Sequence, residues 1–202
     1  FLNSSRLSRA CWTALVNSGN CQLTPKRQSR WLCAGSNGLP PPITVALGVG
    51  EGREVMSVPV RHGTPVTGRS FLTSGATGLG SNAEFTDHME VLVRTDTLDR
   101  FCAANAIDRL DFVKADVEGA ELRVLQGGAE TIERFRPKLL LEIEERHVLR
   151  FGYRAGDVQE WLAERGYRMH AWHRGTWRQV DRIDDRVRNY LFATEAAWQR
   201  TA

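Results

Sequence analysis

An α/β fold with a mostly parallel sheet is the arrangement this sequence predicts, on three observations. Short apolar runs alternate with helix-period segments from about residue 90 to residue 194. Two of the runs, FVKADV at 112–117 and KLLLEIE at 138–144, have apolar centres, as in strands covered on both faces. Both runs also carry acids at their carboxyl ends, where ligands and catalytic groups collect in open α/β sheets.

The 202 residues suffice for one domain with a full core, and the 42% apolar and 25% charged fractions suit a soluble globular protein. No apolar run approaches the roughly 20 residues of a membrane span, and the polar, basic start carries no secretory signal. A cytoplasmic protein without a membrane partner is therefore expected. The chain begins at Phe1 rather than Met, as a fragment or trimmed chain would. No Asp or Glu precedes Glu51, so Arg6, Arg9, Lys26, Arg27 and Arg30 make the first 50 residues net +5. These cations are sparse and lack an aromatic ladder or known motif, so no nucleic-acid partner is expected. Cys11, Cys21, Cys33 and Cys102 fit no CxxC zinc pattern and read as free thiols.

The elements follow in order. Ser8–Val16 reads as a short helix ended by Asn17-Ser18-Gly19-Asn20, then Cys21–Leu23 as a short strand. Pro25 opens a second helix reaching about Ser36, and Asn37–Pro42 is a connector. Ile43–Leu47 is a strand, Gly48–Gly52 a turn, and the alternating Glu54–Val60 its hairpin partner. Arg61–His88 holds Gly63, Gly68, Gly75, Gly78 and Gly80 without regular periodicity; it reads as a mobile loop over the site or as an inert surface loop. Glu90–Arg94 is a strand, and Thr97–Ala104 a helix capped by Thr95 or Asp96.

Phe112–Val117 is a buried strand. Gly119 marks a tight turn, and Ala120, Leu122, Val124 and Leu125 begin a helix that runs until Pro137 stops it. Lys138–Glu144 is the second buried strand. Asp157–Arg165 is amphipathic, with Val158, Trp161 and Leu162 inward and Gly166 as its stop. Tyr167–Trp172 and Asn189–Thr194 are the last strands, and no internal repeat is visible.

Asp116 and Glu118, two acids where a buried strand ends, require a chemical explanation, because an unpaired buried carboxylate is costly. Glu142 and Glu144 lie two apart on one strand and so share a face. Glu142 also reads as an ordinary partner for an Arg. Glu121 reads as a first-turn acid facing the helix dipole. His170 and His173 read as sheet-end residues and Trp161 as core.

Five segments together, VLVRTDTLDRF, DFVKADVEGAELRVLQGG, RPKLLLEIEERH, DVQEWLAERGY and NYLF, resemble the FkbM-type methyltransferases in order and spacing. ITVALGVGEGREVMSVPV is similar to that family's third strand and hairpin, and TGLGSN to a loop before its TLD strand. The resemblance implies a Rossmann-like class I sheet, mostly parallel with an antiparallel C-terminal strand. It also implies S-adenosylmethionine as cofactor and O-methylation of a hydroxyl on a small molecule or glycan. Residues 1–202 are then one partial domain, with a divergent part at 1–42 and a Gly-rich insertion at 61–88.

On that register Thr24 replaces the acid that holds the cofactor ribose, and counting back for the Gly-rich cofactor loop reaches Phe1–Ser5, where only Asn3 matches. The first strand is therefore expected to be missing, leaving one edge of the DVEG strand unpaired and binding of S-adenosylmethionine poor.

Methyl transfer to a hydroxyl needs alignment and a base for the hydroxyl proton. The resemblance places Asp116 beside the methyl group, as a cofactor-binding and catalytic residue, with Glu118 in the turn. Glu144 and His147 lie just beyond the next strand, and His147 is a candidate general base. No resident metal is expected; the competing arrangement has Asp116, Glu118, Glu144 and His147 holding Mg²⁺. The rival from another class is a non-catalytic methyltransferase-like remnant. An α/β hydrolase is disfavoured, as no GxSxG occurs.

Overall fold

A computed structural model describes residues 15–17 and 45–199 of the chain. The expectations placed on Asn3, Thr24, Cys21–Leu23 and the Pro25–Ser36 helix lie outside the described residues.

The strands are β1 (Leu15–Asn17), β2 (Ala46–Leu47), β3 (Gly52–Arg61), β4 (Thr64–Pro65), β5 (Phe71–Leu72), β6 (Asp87–Asp96), β7 (Phe112–Asp116), β8 (Lys138–Glu142), β9 (Arg168–His173), β10 (Thr176–Gln179) and β11 (Asn189–Ala193). The helices are α1 (Leu98–Ala104), α2 (Glu121–Gln126), α3 (Ala129–Phe135), α4 (Glu145–Val148), α5 (Ala155–Ala163) and α6 (Glu195–Gln199).

These strands form two mixed sheets, where the sequence predicts one. The larger has the order β1-β7-β8-β11-β9-β10 and the smaller β2-β6-β3-β4, with β5 also on β3. The larger sheet is parallel only across β1, β7 and β8; β11, β9 and β10 are joined antiparallel. β9 therefore runs in the same direction as β7 and β8, and the strands that run against them are β11, between β8 and β9, and the edge strand β10.

The DVEG strand does not end in an open edge. β1 runs parallel to β7 with Asn17 beside Asp116. Residues 15–17, read from sequence as the end of a helix, are this strand. Three apolar-to-polar residues carry too little periodicity to separate the two states, and the parallel partner decides. The expected hairpin between Ile43–Leu47 and Glu54–Val60 is also not formed among the described residues. β6 inserts between β2, which it meets in parallel, and β3, which it meets antiparallel over nine register pairs from Gly52–Thr95 to Val60–Asp87. Thr97 itself, not Thr95 or Asp96, caps α1, its Oγ1 accepting from the Arg100 N–H at 3.1 Å.

Residues 61–88 contain β4, β5 and two 3-10 turns at Thr67–Arg69 and Gly80–Glu84. Ser70, Phe71, Asn82 and Phe85 within this segment are buried. The Asn82 side chain accepts from Arg69 Nε at 3.2 Å and donates to the Arg69 carbonyl at 2.7 Å. The segment is therefore packed structure rather than the loose loop its glycines suggest.

The helix expected from Ala120 to Pro137 is two helices, broken at Gly127-Gly128. A Cβ on Gly127 would lie 2.0 Å from the Gly48 carbonyl oxygen, and one on Gly128 would lie 2.7 Å from Leu98 Cδ2. The glycines are there for close approach to β2 and α1.

Burial in β7 and β8 alternates strictly instead of covering both faces. Val113, Ala115, Leu139 and Leu141 face the main core, joined there by Leu125, Val158, Leu162, Met169, Tyr190 and Phe192. Lys114, Asp116, Leu140 and Glu142 point the other way and are half-buried. No described helix is long and apolar enough to cross a membrane.

Candidate active site

β7 delivers Asp116 to the carboxyl end of the larger sheet. Its side chain is 27% exposed, and Lys114 Nζ lies 3.4 Å from Oδ2 on the same face. Beyond it the chain turns sharply. Glu118 has a left-handed φ of 53°, which a non-glycine residue rarely adopts, and Gly119 follows at 105°. A Cβ on Gly119 would lie 2.3 Å from the His147 carbonyl oxygen. The turn thus presses on α4, and only glycine fits there.

Four side chains fix this turn from beneath. Glu121 is fully buried, and its Oε1 accepts from the Val117 and Gly119 N–H groups at 3.3 and 3.2 Å. Burial pushes its carboxyl up to about 8, against the pull of those hydrogen bonds. Tyr153 accepts from the Leu122 N–H at 3.2 Å and donates to the Gly119 carbonyl; its hydroxyl is raised far above the ordinary range, chiefly by burial. Arg150, 4% exposed, donates to the carbonyls of Glu118 and of Leu79 in the Gly-rich segment, and stacks 4.0 Å over Phe71. Apart from these, Arg123 of α2 donates to the Ser74 carbonyl and so ties that segment to the helix.

The fourth is His147, which meets Glu118. Its Nδ1 lies 3.0 Å from Glu118 Oε2, an ion-pair distance, with side chains 6% and 7% exposed. Oε2 receives no aligned hydrogen bond at that distance. Glu144 has two cations instead: Arg146 reaches it at 2.7 Å and Arg188 at 3.6 Å.

The four acids and the histidine named from sequence thus gather at one sheet end but face different ways. Asp116 is open to solvent, Glu118 and His147 face each other in the interior, and Glu144 is engaged by arginines. Glu142 stands next to them. Burial, then Asp116, Glu144 and Glu118, hold its carboxyl above the usual range, and Lys114 opposes them. Among the described residues no group of three or more His, Cys, Asp or Glu is arranged to hold a metal ion, so the Mg²⁺ arrangement is not formed by them.

Arg150 and Tyr153 are not marked by the sequence reading, and Glu121, expected as a first-turn acid facing the helix dipole, is in that first turn but fully buried. A lone arginine inside the apolar run VLRF was the available signal for Arg150, and the apolar triplet before NSGN the signal for β1. Glu121 gave none.

The family model described as "Methyltransferase FkbM domain" matches residues 20–169, well over half of the chain. No curated protein and no solved structure matches it. The match contains the acid-ended β7, its glycine turn, β8 and α5, the elements that build the site just described. The chain belongs to the FkbM methyltransferase family.

Proposed function

We propose that the protein is an S-adenosylmethionine-dependent O-methyltransferase acting on a hydroxyl of a small molecule or glycan, in the cytoplasm. The observation that carries this reading is the pairing of Asn17 with Asp116 at the carboxyl end of adjacent parallel strands. That is where an α/β sheet binds its ligand. β1 lies parallel to β7 on the edge where the first strand is expected, which supports the enzyme over a non-catalytic remnant. The free, buried Cys102 thiol is in keeping with a reducing compartment.

The partly exposed Asp116 carboxylate suits a polar, positively charged ligand at the strand end, which would compete with Lys114 for it. Asp116 and the carboxyl end of β1 would hold S-adenosylmethionine, which supplies an electrophilic methyl group when bound. β1 ends at Asn17, level with Asp116, which makes Asn17 a cofactor-loop candidate beside Asn3 and Thr24. The remaining roles belong to this chain's own side chains. Asp116 accepts or orients the proton of the acceptor hydroxyl. Glu142, beside Asp116 on the same face, hydrogen-bonds the acceptor; burial and the neighbouring acids hold its carboxyl above the usual range. Glu118 and His147 position the turn from below, and Glu144 with Arg146 and Arg188 closes the strand end.

The test is transfer of a labelled methyl group from S-adenosylmethionine to hydroxyl-bearing acceptors. Asp116→Asn should lower the rate by about 10²–10⁴-fold with the thermal melt unchanged. Wild-type rate in that variant would remove Asp116 from the chemistry. No transfer to any acceptor, without cofactor binding, would favour the remnant.

A further inference from the structure

The half-buried face of the larger sheet does not stop at the acids. Register places Ala115 beside Leu141, Glu142 beside Asn189, Tyr190 beside Ala171, and Trp172 beside Trp177. Residues level with one another on neighbouring strands share a face. Asp116, Glu142, Asn189, Trp172 and Trp177 therefore form one row across the sheet end. None of the five is buried, whereas Ala115, Leu141, Tyr190 and Ala171, one step along their strands, all are.

The far end of this row is aromatic and open. Trp172 is 56% exposed, and its ring meets Trp177 edge to face at 5.3 Å between centroids. A cross-strand aromatic pair accounts for the contact between the two rings. It does not account for leaving so much of Trp172 in water. Strands lie about 4.8 Å apart, so Trp172 is roughly 14 Å along the row from Asp116 and Trp177 roughly 19 Å. A single ring held at Asp116 does not reach either.

We infer that Trp172 and Trp177 form a stacking subsite for a distal ring of an extended saccharide acceptor, which rests on the methyltransferase reading for its near end only. The flat C–H face of a sugar ring packs on an indole, whose amphipathic edge tolerates water. The path between the ends of the row is Glu142 and Asn189, polar and reachable by solvent, which suits a chain of hydroxyl-bearing rings. An acyl or polyketide acceptor would ask for an enclosed apolar channel there.

The full 202-residue chain is screened on a printed array of oligosaccharides beside their single-ring sugars, and hits are titrated by calorimetry. The expected result is an oligosaccharide bound at least about tenfold more tightly than its single-ring sugar. Trp172→Ala should weaken that binding about tenfold, Trp172→Phe less, with affinity for S-adenosylmethionine unmoved. The inference is overturned if no oligosaccharide binds, or if binding is the same in a Trp172→Ala protein whose melt matches wild type. Binding through Trp172 without any affinity for S-adenosylmethionine would keep the subsite and sink the methyltransferase reading instead.

Discussion

The two faces of the larger sheet are built from alternate residues of the same strands. One carries Val113, Ala115, Leu139 and Leu141, each no more than 2% exposed, under α2 and α5. The other carries Lys114, Asp116, Leu140 and Glu142 and stays half-open to solvent. A period of two therefore sorts the buried core to one side and Lys114, Asp116 and Glu142 to the other. The turn after β7 is where the two meet. Asp116 opens to the outer side, and two residues later Glu118 is turned inward to His147.

Changes on the inner side should cost stability, and those on the outer side should not. The largest effect is expected at the turn itself. Gly119→Ala places a methyl group 2.3 Å from the His147 carbonyl oxygen at a φ that disfavours it. Urea unfolding should show a loss of about 3 kcal/mol or more; a loss under about 1 kcal/mol would mean that α4 does not press on the turn. Next is a matched pair on one strand. Leu141→Ala, at 0% exposure, should cost about 2–4 kcal/mol and Leu140→Ala less than about 1 kcal/mol. Equal costs would break the distinction between the faces.

The smallest effect is a pH dependence. Folded Glu121 keeps its proton up to about 8, whereas the unfolded chain releases it near about 4.3. Between those values the folded state binds more protons, so stability falls as pH rises and levels off above the window. Glu121→Gln keeps an acceptor for the Val117 and Gly119 N–H groups and removes the titration. Its melting temperature should fall less than wild type between about pH 5 and pH 8. An identical slope would place the titration elsewhere.

Much of this was legible in local pattern. β7, β8, β9 and β11 lie within two residues of their expected bounds, and DVEG was read as a strand end leading into a helix. What was not legible depends on distant partners. β1 is three residues long and owes its state to β7, about 100 positions away. The separation of β2 from β3 by β6 leaves no trace in either segment. The glycine break between α2 and α3 answers to the Gly48 carbonyl and to Leu98. The edge strand β10 has an irregular polar composition that no period marks. At the site, residue types were readable and their orientation was not: Asp116, Glu118 and Glu121 are three acids within six residues with three different environments.

The central claim is that β1 and β7 together make a cofactor site. Calorimetric titration of the chain with S-adenosylmethionine tests it most directly, paired with Asp116→Ala. A dissociation constant in the micromolar range, weakened about tenfold or more in the variant, is the predicted result. No heat of binding from a folded wild-type chain would contradict it.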